Sequence, residues 1–527
     1  MKGWYKYFIV AVLIGGTIYG INVKTTTIEE KRPNIIYVLA DDLGYGDIAI
    51  YNPEGKIKTP NLDAMGSAGM IFTDAHTSSA VCTPTRYGII TGRYNWRSPL
   101  KSSVLTGNSK ALIPKNRTTV ASLLKKEGYE TAFIGKWHLG WDWALKNPGL
   151  ELGEGWNPED FDNIDFSKEV KNSPNTLGFK YSYGHCGSLD MAPYVYVENG
   201  MPTMVPDTVT ESKTKYGWWR KGPTARDFDF DDVTPNFFRK SFGYIKEKAK
   251  GKSPFFLYLA LPSPHTPILP TEEWKGKSDL NPYGDFMMMI DAYMGQLTEV
   301  IRQAGIEDNT IVIFTSDNGC SPAAKIDEML AKGHSPNGIL RGHKADIFEG
   351  GHRVPFIVKW PNKIKPASKS DKTICTTDLL ATCADIVGVD LADDEGEDSF
   401  SFLPLLTNPE SKDYLREATV HHSINGSFAI RKDNWKMIFC PGSGGWSNPK
   451  PNSEGLGDLP KFQLYDLSKD PREENNVYGQ FHEVESALTR LMVSYIENGT
   501  SRVGEKQKND PEGYGSKEWK QLGVFYN

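Results

Sequence analysis

Long apolar runs without alternation recur along the chain, and each ends in polar residues. Residues 34–40, 254–260 and 310–316 are such runs, and residues 131–135 form a shorter one. Runs of this kind are typical of strands that are buried on both faces of a parallel sheet. Amphipathic stretches of helical period lie between them. The chain therefore alternates strands with helices, which predicts an α/β fold.

The pattern changes after about residue 408. Residues 427–431, 435–439 and 463–467 have the length and composition of short half-buried strands. Residues 484–498 then have the period of an amphipathic helix. This part of the chain predicts a small antiparallel sheet with one helix.

The first residues have the pattern of a secretory signal. Lys2 and Lys6 precede the apolar run 8–14, which is too short for a comfortable membrane span of roughly 20 residues. We expect export to a periplasm or to the exterior, without stable membrane insertion. The predicted division of the chain is a signal peptide at 1–25, a main domain at 32–407 and an α+β C-terminal subdomain at 408–527.

The composition narrows the classes of partner. The net charge is −6 and no basic block dominates, which argues against a nucleic-acid partner. Any anion must therefore be recognised locally. Six cysteines in 527 residues, without a Cys-x-x-Cys spacing, are not a disulfide scaffold or a zinc site.

Polar side chains follow two of the predicted buried strands. Asp41 and Asp42 come directly after the run 34–40, and Asp317 and Asn318 follow the run 310–316. The carboxyl ends of parallel strands are where open α/β sheets bind ligands. Carboxylate and amide oxygens suit a hard divalent cation, so these four residues are candidate metal ligands.

A cysteine stands at the start of a predicted helix. The segment at 82–86 reads Cys-Thr-Pro-Thr-Arg, and Pro84 favours a first helical turn. Arg86 is placed to hold an anion near the helix N-terminus. Taken alone, the segment is equally consistent with a reactive centre and with a structural cysteine before an ordinary helix.

Further candidates for acid–base work follow other strands. Lys136 and His138 are two residues apart, so in an extended chain they face the same side. His265 lies in a proline-rich loop after the run 254–260. Lysine and histidine side chains near an anion can hold charge and transfer protons.

Several of these segments together resemble the type I sulfatase family. The matching motifs are Asp-Asp-Leu-Gly at 41–44, Cys-Thr-Pro-Thr-Arg at 82–86, Gly-Lys-Trp-His-Leu-Gly at 135–140, Thr-Ser-Asp-Asn-Gly at 315–319 and Glu-Gly-Gly-His-Arg at 349–353. The resemblance covers nearly the whole mature chain and is weakest from residue 141 to residue 232. That stretch is rich in Gly, Pro, Asn, Asp and Trp, and we interpret it as elaborated binding loops.

The resemblance implies an alkaline-phosphatase-like α/β fold. A large mixed sheet sandwiched by helices would form the catalytic domain, and a smaller antiparallel sheet plus helix the C-terminal subdomain. It also implies one Ca²⁺ per chain, with ligands from Asp41, Asp42, Asp317, Asn318 and residue 82.

The resemblance further implies that Cys82 becomes formylglycine (3-oxoalanine). A formylglycine-generating maturation enzyme would be the partner for this step, and the hydrated aldehyde would be the nucleophile. Thr85 is a mild departure, because the family more often has Ser or Ala there. Efficient conversion is therefore most open to question at this position.

The implied reaction is hydrolysis of a sulfate ester. Arg86, Lys136 and Lys344 would neutralise the sulfate oxygens, and His265 with Lys344 would protonate the departing alcohol. His138 would deprotonate the second hydroxyl of the hydrate, which expels sulfate and restores the aldehyde.

The expected substrate is a sulfated carbohydrate, such as an algal galactan or a glycosaminoglycan-type oligosaccharide. His185, His343 and His352 are candidate substrate contacts, although a structural role is at least as plausible for such histidines. Aromatic residues that are candidates either for stacking on sugar rings or for the core are Trp156, Tyr183, Tyr194, Trp218 and Trp219.

Three alternatives remain open at this point. A phosphonate or phosphate diester hydrolase would use the same formylglycine site. A non-catalytic protein that binds sulfated glycans would keep Cys82 unconverted. A metal-dependent phosphatase with a Thr or Ser nucleophile has no support at position 82.

Overall fold

The structure is a computed structural model that describes residues 31–510, apart from residue 154 and residues 157–159. The predicted signal peptide at residues 1–25 lies outside the described residues. Within the described ranges, no helix is long and apolar enough to cross a membrane.

The strands of the described chain are short to medium in length. In chain order they are β1 (Asn34–Ala40), β2 (Met70–Phe72), β3 (Ala75–His76), β4 (Glu130–Lys136), β5 (Tyr181–His185), β6 (Val197–Glu198), β7 (Met201–Pro202), β8 (Thr208–Lys213), β9 (Trp218–Thr224), β10 (Phe255–Ala260), β11 (Thr310–Ser316), β12 (Phe356–Lys359), β13 (Ser368–Ser370), β14 (Ile374–Cys375), β15 (Thr419–His422), β16 (Phe428–Lys432), β17 (Trp435–Ile438) and β18 (Gln463–Asp466).

Helices connect most of these strands. They are α1 (Pro60–Ser67), α2 (Cys82–Thr91), α3 (Val120–Lys126), α4 (Val233–Lys248), α5 (Pro282–Gln303), α6 (Ile326–Ala331), α7 (Glu349–His352), α8 (Leu379–Val387), α9 (Leu403–Thr407) and α10 (His482–Asn498).

A large mixed sheet forms the centre of the molecule. Its spatial order is β13-β2-β12-β11-β1-β10-β4-β5-β6-β7. The strands β11, β1, β10, β4 and β5 run parallel, whereas β12 is antiparallel to both β11 and β2. In the register, Tyr37 of β1 stands opposite Ile313 and Tyr258.

Helices cover this sheet in two groups. Helices α1, α4 and α5 pack together, and helices α2, α3 and α8 form the other group. Nearly every residue of β1, β10 and β11 is buried, which requires cover on both faces. Their uninterrupted apolar runs result from this burial on both faces. The predicted α/β architecture is confirmed.

A second, four-stranded antiparallel sheet has the order β15-β16-β17-β18. All of its strands follow residue 408. Helix α10 packs on β16 and β17, and the core between them includes Phe428, Met437 and Met492. The three strands and the helix predicted here are present, and β15 is an additional strand.

The interpretation of residues 141–232 as elaborated loops was wrong in part. Strand β5 extends the parallel part of the large sheet beside β4, and β8 and β9 form an antiparallel hairpin. The sequence of β5 is Tyr-Ser-Tyr-Gly-His, without an apolar run. Its pairing with β4 is a non-local interaction, which a local pattern does not reveal.

The carboxyl ends of the parallel strands meet at one edge of the sheet. Asp41 follows β1, Lys136 ends β4, His265 follows β10 and Asp317 follows β11. Cys82 is the first residue of α2. The fold therefore gathers the candidate residues at this edge.

Candidate active site

Two strand ends bring together four of the five predicted metal ligands, namely Asp41, Asp42, Asp317 and Asn318. The Asp42 main-chain amide donates to Oδ1 of Asp317 at 3.3 Å, and Nδ2 of Asn318 donates to Oδ1 of Asp42 at 2.7 Å. Asp42 adopts a left-handed backbone with a φ of 66°, which aspartate tolerates better than most residues. All four side chains, including that of Asp41, are buried.

Two oxygen atoms of this cluster fit a bound cation. Oδ1 of Asp41 and Oδ1 of Asn318 are buried and have no hydrogen-bond partner among the described residues. Acceptors buried in this way are costly unless something satisfies them. Ligand atoms of Asp41, Asp42 and His265 also lie within 4.8 Å of one another. This oxygen-rich set is suited to a hard divalent cation.

Each of the three carboxylates of the cluster is paired with a cationic side chain. Nζ of Lys136 lies 2.6 Å from Oδ2 of Asp41, and Nη2 of Arg86 lies 2.8 Å from Oδ2 of Asp317. Nζ of Lys344 lies 2.7 Å from Oδ1 of Asp42. Each buried charge thus has an opposite charge beside it, which offsets the cost of removing it from water.

Burial and these neighbours shift the pKa values of the carboxylates in different directions. Burial raises the pKa of Asp317 to about 7, and the adjacent Asp41 adds to the rise. Burial also opposes ionisation of Asp41, but Lys136 and His265 outweigh it and hold the pKa of Asp41 well below its usual range. For Lys344, Asp42 outweighs burial and raises the pKa above its usual value. The site therefore favours charged Asp41 and Lys344.

Cys82 opens onto a cleft of about 490 Å³, which His265 and Lys344 also line. Helix α2 is buried along its whole length, so the cysteine is held rigidly. Burial raises the pKa of the Cys82 thiol, although Lys136 and Lys344 act in the opposite direction. An unmodified Cys82 is consequently a protonated thiol at neutral pH, and a poor nucleophile.

His138 is held close to the start of α2. Its Nε2 donates to the carbonyl of Leu105 at 2.8 Å, and the Leu105 amide donates to Oγ1 of Thr83 at 3.2 Å. Burial, with Lys136 second, lowers the pKa of His138 well below its usual range. Its Nδ1 is buried and has no partner among the described residues. A neutral ring in this tautomer presents Nδ1 as a proton acceptor.

His265 faces the same cluster from the loop after β10. Its Nδ1 lies 2.6 Å from the carbonyl of Thr266, and its Nε2 lies 3.6 Å from Oδ2 of Asp42. A proton on Nδ1 satisfies the carbonyl. Nε2 is then the nitrogen that faces the carboxylate cluster.

The three histidines expected to contact substrate lie in different environments. His185 is buried, and its ring nitrogens lie 2.9 and 3.1 Å from the carbonyls of Gly187 and Pro193. His352 is also buried, and its ring stacks on His421 with centroids 4.0 Å apart. These positions give His185 and His352 no surface toward a substrate. His343 is half-buried beside Lys344.

The aromatic candidates divide in the same way. Trp156 and Trp218 line the cleft, whereas Tyr183 and Tyr194 are buried in the core. Trp219 stacks on Phe230 with ring centroids 4.0 Å apart. Cleft residues that sequence reasoning did not single out are Ser188, Asp190, Arg220 and Trp446. An aromatic or charged residue in an irregular stretch gave no signal that separates a cleft position from an ordinary surface position.

Comparison with known proteins identifies the family of the chain. Residues 33–389 match the family model described as sulfatase, and residues 343–447 match that of N-sulphoglucosamine sulphohydrolase, C-terminal. The N-acetylgalactosamine-6-O-sulfatase of Bacteroides thetaiotaomicron is 34% identical over 508 residues, which cover 88% of this chain and 93% of the relative. Human arylsulfatase A is 30% identical over 478 residues, with 88% and 87% covered.

A solved structure shows the same fold. It comes from work on the metabolism of multiple glycosaminoglycans by Bacteroides thetaiotaomicron, and it aligns with a TM-score of 0.75 at 31% identity. The alignment covers 88% of this chain and 99% of that one. The predicted alkaline-phosphatase-like fold is thereby confirmed, together with the family resemblance and the class of enzyme. The chain belongs to the sulfatase family and hydrolyses sulfuric esters.

Proposed function

We propose that this sulfatase removes O-sulfate groups from a sulfated carbohydrate, with Cys82 converted to formylglycine and with Ca²⁺ at the carboxylate cluster. One observation carries the proposal. Residue 82 opens onto a cleft that is lined by Lys344 and His265 and also by Trp156, Trp218 and Trp446. Charge for an anion and ring faces for a sugar thus occur in one cleft.

Formylglycine and a divalent cation would each supply one part of the chemistry. A formylglycine hydrate at position 82 supplies a hydroxyl nucleophile where a thiol is inert. A divalent cation, with Asp41, Asp42, Asp317, Asn318 and residue 82 as ligands, supplies positive charge beside the ester. The unpartnered buried oxygens of Asp41 and Asn318 support the cation.

The chain's own residues supply the remaining functions. Lys136, Lys344 and Arg86 neutralise anionic oxygens from buried positions. His138 accepts a proton at its free Nδ1. His265, with a proton on each ring nitrogen, donates the one on Nε2 to the departing alcohol and keeps the one on Nδ1 that bonds the Thr266 carbonyl. Both nitrogens are positioned by hydrogen bonds from the other side of the ring.

The relatives support a carbohydrate substrate. Relatives named N-acetylgalactosamine-6-sulfatase occur in Bacteroides thetaiotaomicron, mouse and human, and their names place the sulfate on an amino sugar. A sulfated algal galactan is the other class of carbohydrate substrate that would present such a sulfate ester. Which sugar and which hydroxyl position the enzyme prefers is decided by the walls of the cleft.

Export and maturation belong to the same proposal. The lysines and apolar run at residues 1–25 favour a signal peptide, and a periplasmic or secreted enzyme would meet extracellular polysaccharides. A formylglycine-generating enzyme is the partner required for Cys82. The division into a catalytic domain at 32–407 and a C-terminal subdomain at 408–527 is also proposed, since the second sheet lies wholly after residue 408.

A substrate panel tests the proposal. Purified enzyme is assayed for sulfate release from sulfated mono- and oligosaccharides, and in parallel with p-nitrophenyl sulfate and a phosphate diester. We expect the highest kcat/KM on a sulfated sugar. A phosphate diester that reacts faster than every sulfate ester would contradict the proposal, and so would activity on the aryl ester alone.

A further inference from the structure

Asp190 and Arg220 form an ion pair inside the cleft that residue 82 opens into. Nη1 of Arg220 donates both to Oδ2 and to the main-chain carbonyl of Asp190, the latter at 3.1 Å. The Arg220 amide donates to the same carbonyl at 3.2 Å. Tyr194 adds a 2.7 Å hydrogen bond to the Arg220 carbonyl. The pair is therefore fixed in position by strand β9 and by the loop after β5.

The second carboxylate oxygen of Asp190 has no partner among the described residues. Its Oδ1 is buried, the residue is 6% exposed, and none of the described residues donates to this atom. Oγ of Ser188, which lines the same cleft, is also buried without a described partner. Buried acceptors are costly when left unpaired. A ligand with hydroxyl groups would satisfy both atoms.

The charge of the pair indicates what kind of ligand it selects. Asp190 neutralises Arg220, so the two together attract no second anion strongly. A carboxylate accepts a hydrogen bond from one hydroxyl, and the adjacent guanidinium donates to another. Held at a fixed spacing, they match two neighbouring hydroxyls on a sugar ring.

Aromatic rings surround the pair. The guanidinium carbon of Arg220 lies 4.6 Å from the ring centroid of Trp218 and 5.2 Å from that of Trp156. The tryptophans found among the exposed large apolar side chains of the described chain are Trp156, Trp218 and Trp446, and all three line this cleft. Exposed indole faces at one site are suited to the apolar face of a sugar ring.

We infer that Asp190, Arg220 and Trp218 form a recognition subsite for the sulfated ring itself. The ring it selects is a hexose or amino sugar with two neighbouring free hydroxyls and without a second anionic substituent. This inference rests on the proposed carbohydrate activity and names the part of the sugar that the cleft recognises. Neither Asp190 nor Arg220 belongs to the catalytic cluster.

Kinetics of Asp190→Asn test the subsite. For a monosulfated hexose, the variant should lose kcat/KM on the order of 10- to 100-fold, because hydrogen bonds to a charged group are lost. For p-nitrophenyl sulfate, which has no sugar hydroxyls, kcat/KM should stay within threefold. The matched control is Asp207→Asn, which removes a carboxylate from the exposed ion pair with Arg226. It should leave kcat/KM unchanged for both substrates.

A deoxy substrate identifies the contact. Removing one of the two hydroxyls from the sugar should lower kcat/KM of the wild-type enzyme by a similar factor. The same removal should lower kcat/KM of Asp190→Asn little further, because the contact is already lost. Should Asp190→Asn unfold at a lower temperature, the double variant Asp190→Asn, Arg220→Gln removes both charges of the pair. It should likewise lose kcat/KM for the sugar sulfate and keep it for the aryl sulfate.

Three outcomes would overturn the subsite. The first is unchanged hydrolysis of the monosulfated hexose by Asp190→Asn. The second is an equal fall for sugar and aryl sulfates. The third is a wild-type preference for a ring with a second sulfate or a carboxylate. If the wild-type enzyme hydrolyses aryl sulfate but no sugar sulfate, the proposed carbohydrate activity itself fails, which is a separate result.

Discussion

The main-chain amide of Ala345 donates a 2.8 Å hydrogen bond to the carbonyl of Ala80. This bond joins the segment that leads into Cys82 to the residue after Lys344. The Ala80 amide in turn donates to the carbonyl of His422, at the end of strand β15, at 2.9 Å. The second sheet thus supports the backbone on which residue 82 and Lys344 are placed, and its position bears directly on the geometry of the active site.

Removing the Lys344 ammonium should reduce the rate of sulfate ester hydrolysis. We predict that Lys344→Met lowers kcat for p-nitrophenyl sulfate on the order of 100-fold, because one cation beside the developing charge is lost. Lys369→Met, at an exposed position, is the control and should keep the wild-type rate. A kcat for Lys344→Met within threefold of wild type would exclude the assigned role.

Calcium should stabilise the folded enzyme. A ligand that binds only the native state at 100 times its Kd adds about 2.7 kcal/mol to the free energy of unfolding. We predict a higher melting temperature with Ca²⁺ than with EGTA, and no such shift in Asp41→Asn. Asp308→Asn, an exposed carboxylate change, should retain the shift. A larger shift with Mg²⁺ than with Ca²⁺ would assign the site to a different cation.

Lys436 should be important for stability rather than for chemistry. Its Nζ lies 3.1 Å from Oε1 of Glu349 and 2.8 Å from Oε1 of Glu473, and all three side chains are fully buried. It also donates to Nε2 of His352 at 3.0 Å. Lys436→Met removes the ammonium that neutralises the buried Glu473, whereas Glu349 keeps Arg353 at 3.4 Å and Arg431 at 3.7 Å.

We predict that this variant loses about 3–5 kcal/mol in the free energy of unfolding, measured with urea. Lys432→Met, which breaks an exposed ion pair between strand β16 and Glu417, should change this free energy by less than about 0.5 kcal/mol. Equal effects of the two substitutions would mean that the buried network contributes nothing specific.

Acid should destabilise the protein through its buried histidines. Burial lowers the pKa of both His185 and His422 to about 4. The unfolded chain, with a histidine pKa of about 6.5, binds more protons than the folded protein below that pH. The stabilisation is therefore present above pH 6.5 and is lost as the pH falls toward 4.

The expected loss between pH 7 and pH 5 is about 2 kcal/mol for each such histidine. The free energy of unfolding is measured with urea at both pH values. In His185→Gln, the difference between the two values should be smaller than in the wild type by that amount. His482→Gln, at a side chain that is 81% exposed, should leave the difference unchanged. An unchanged difference in His185→Gln would show that this ring titrates normally in the folded protein.

The sequence predicted most of the central fold because burial on both faces leaves a local trace. The apolar runs at 34–40 and 310–316 coincide with β1 and β11. Asp41 and Asp317 were placed together for the same reason, since each directly follows such a strand.

Features that depend on distant partners left no such trace. Strand β5 owes its conformation to β4, and the Asp190–Arg220 pair joins residues 30 positions apart. His185 and His352, two of the three histidines expected to contact substrate, are fully buried for a related reason. A polar ring such as that of His185 can be satisfied entirely by main-chain groups, here the Pro193 carbonyl at Nε2 and the Gly187 amide at Nδ1, which no sequence pattern reports.

The state of residue 82 is the most direct test of the whole account. Mass spectrometry of the peptide that contains it should be paired with the rate of sulfate release, in preparations made with different amounts of the maturation enzyme. We predict an aldehyde at residue 82 and a kcat proportional to the converted fraction, with Cys82→Ala inactive throughout. Full sulfatase activity in a preparation whose residue 82 is entirely a thiol would contradict the account.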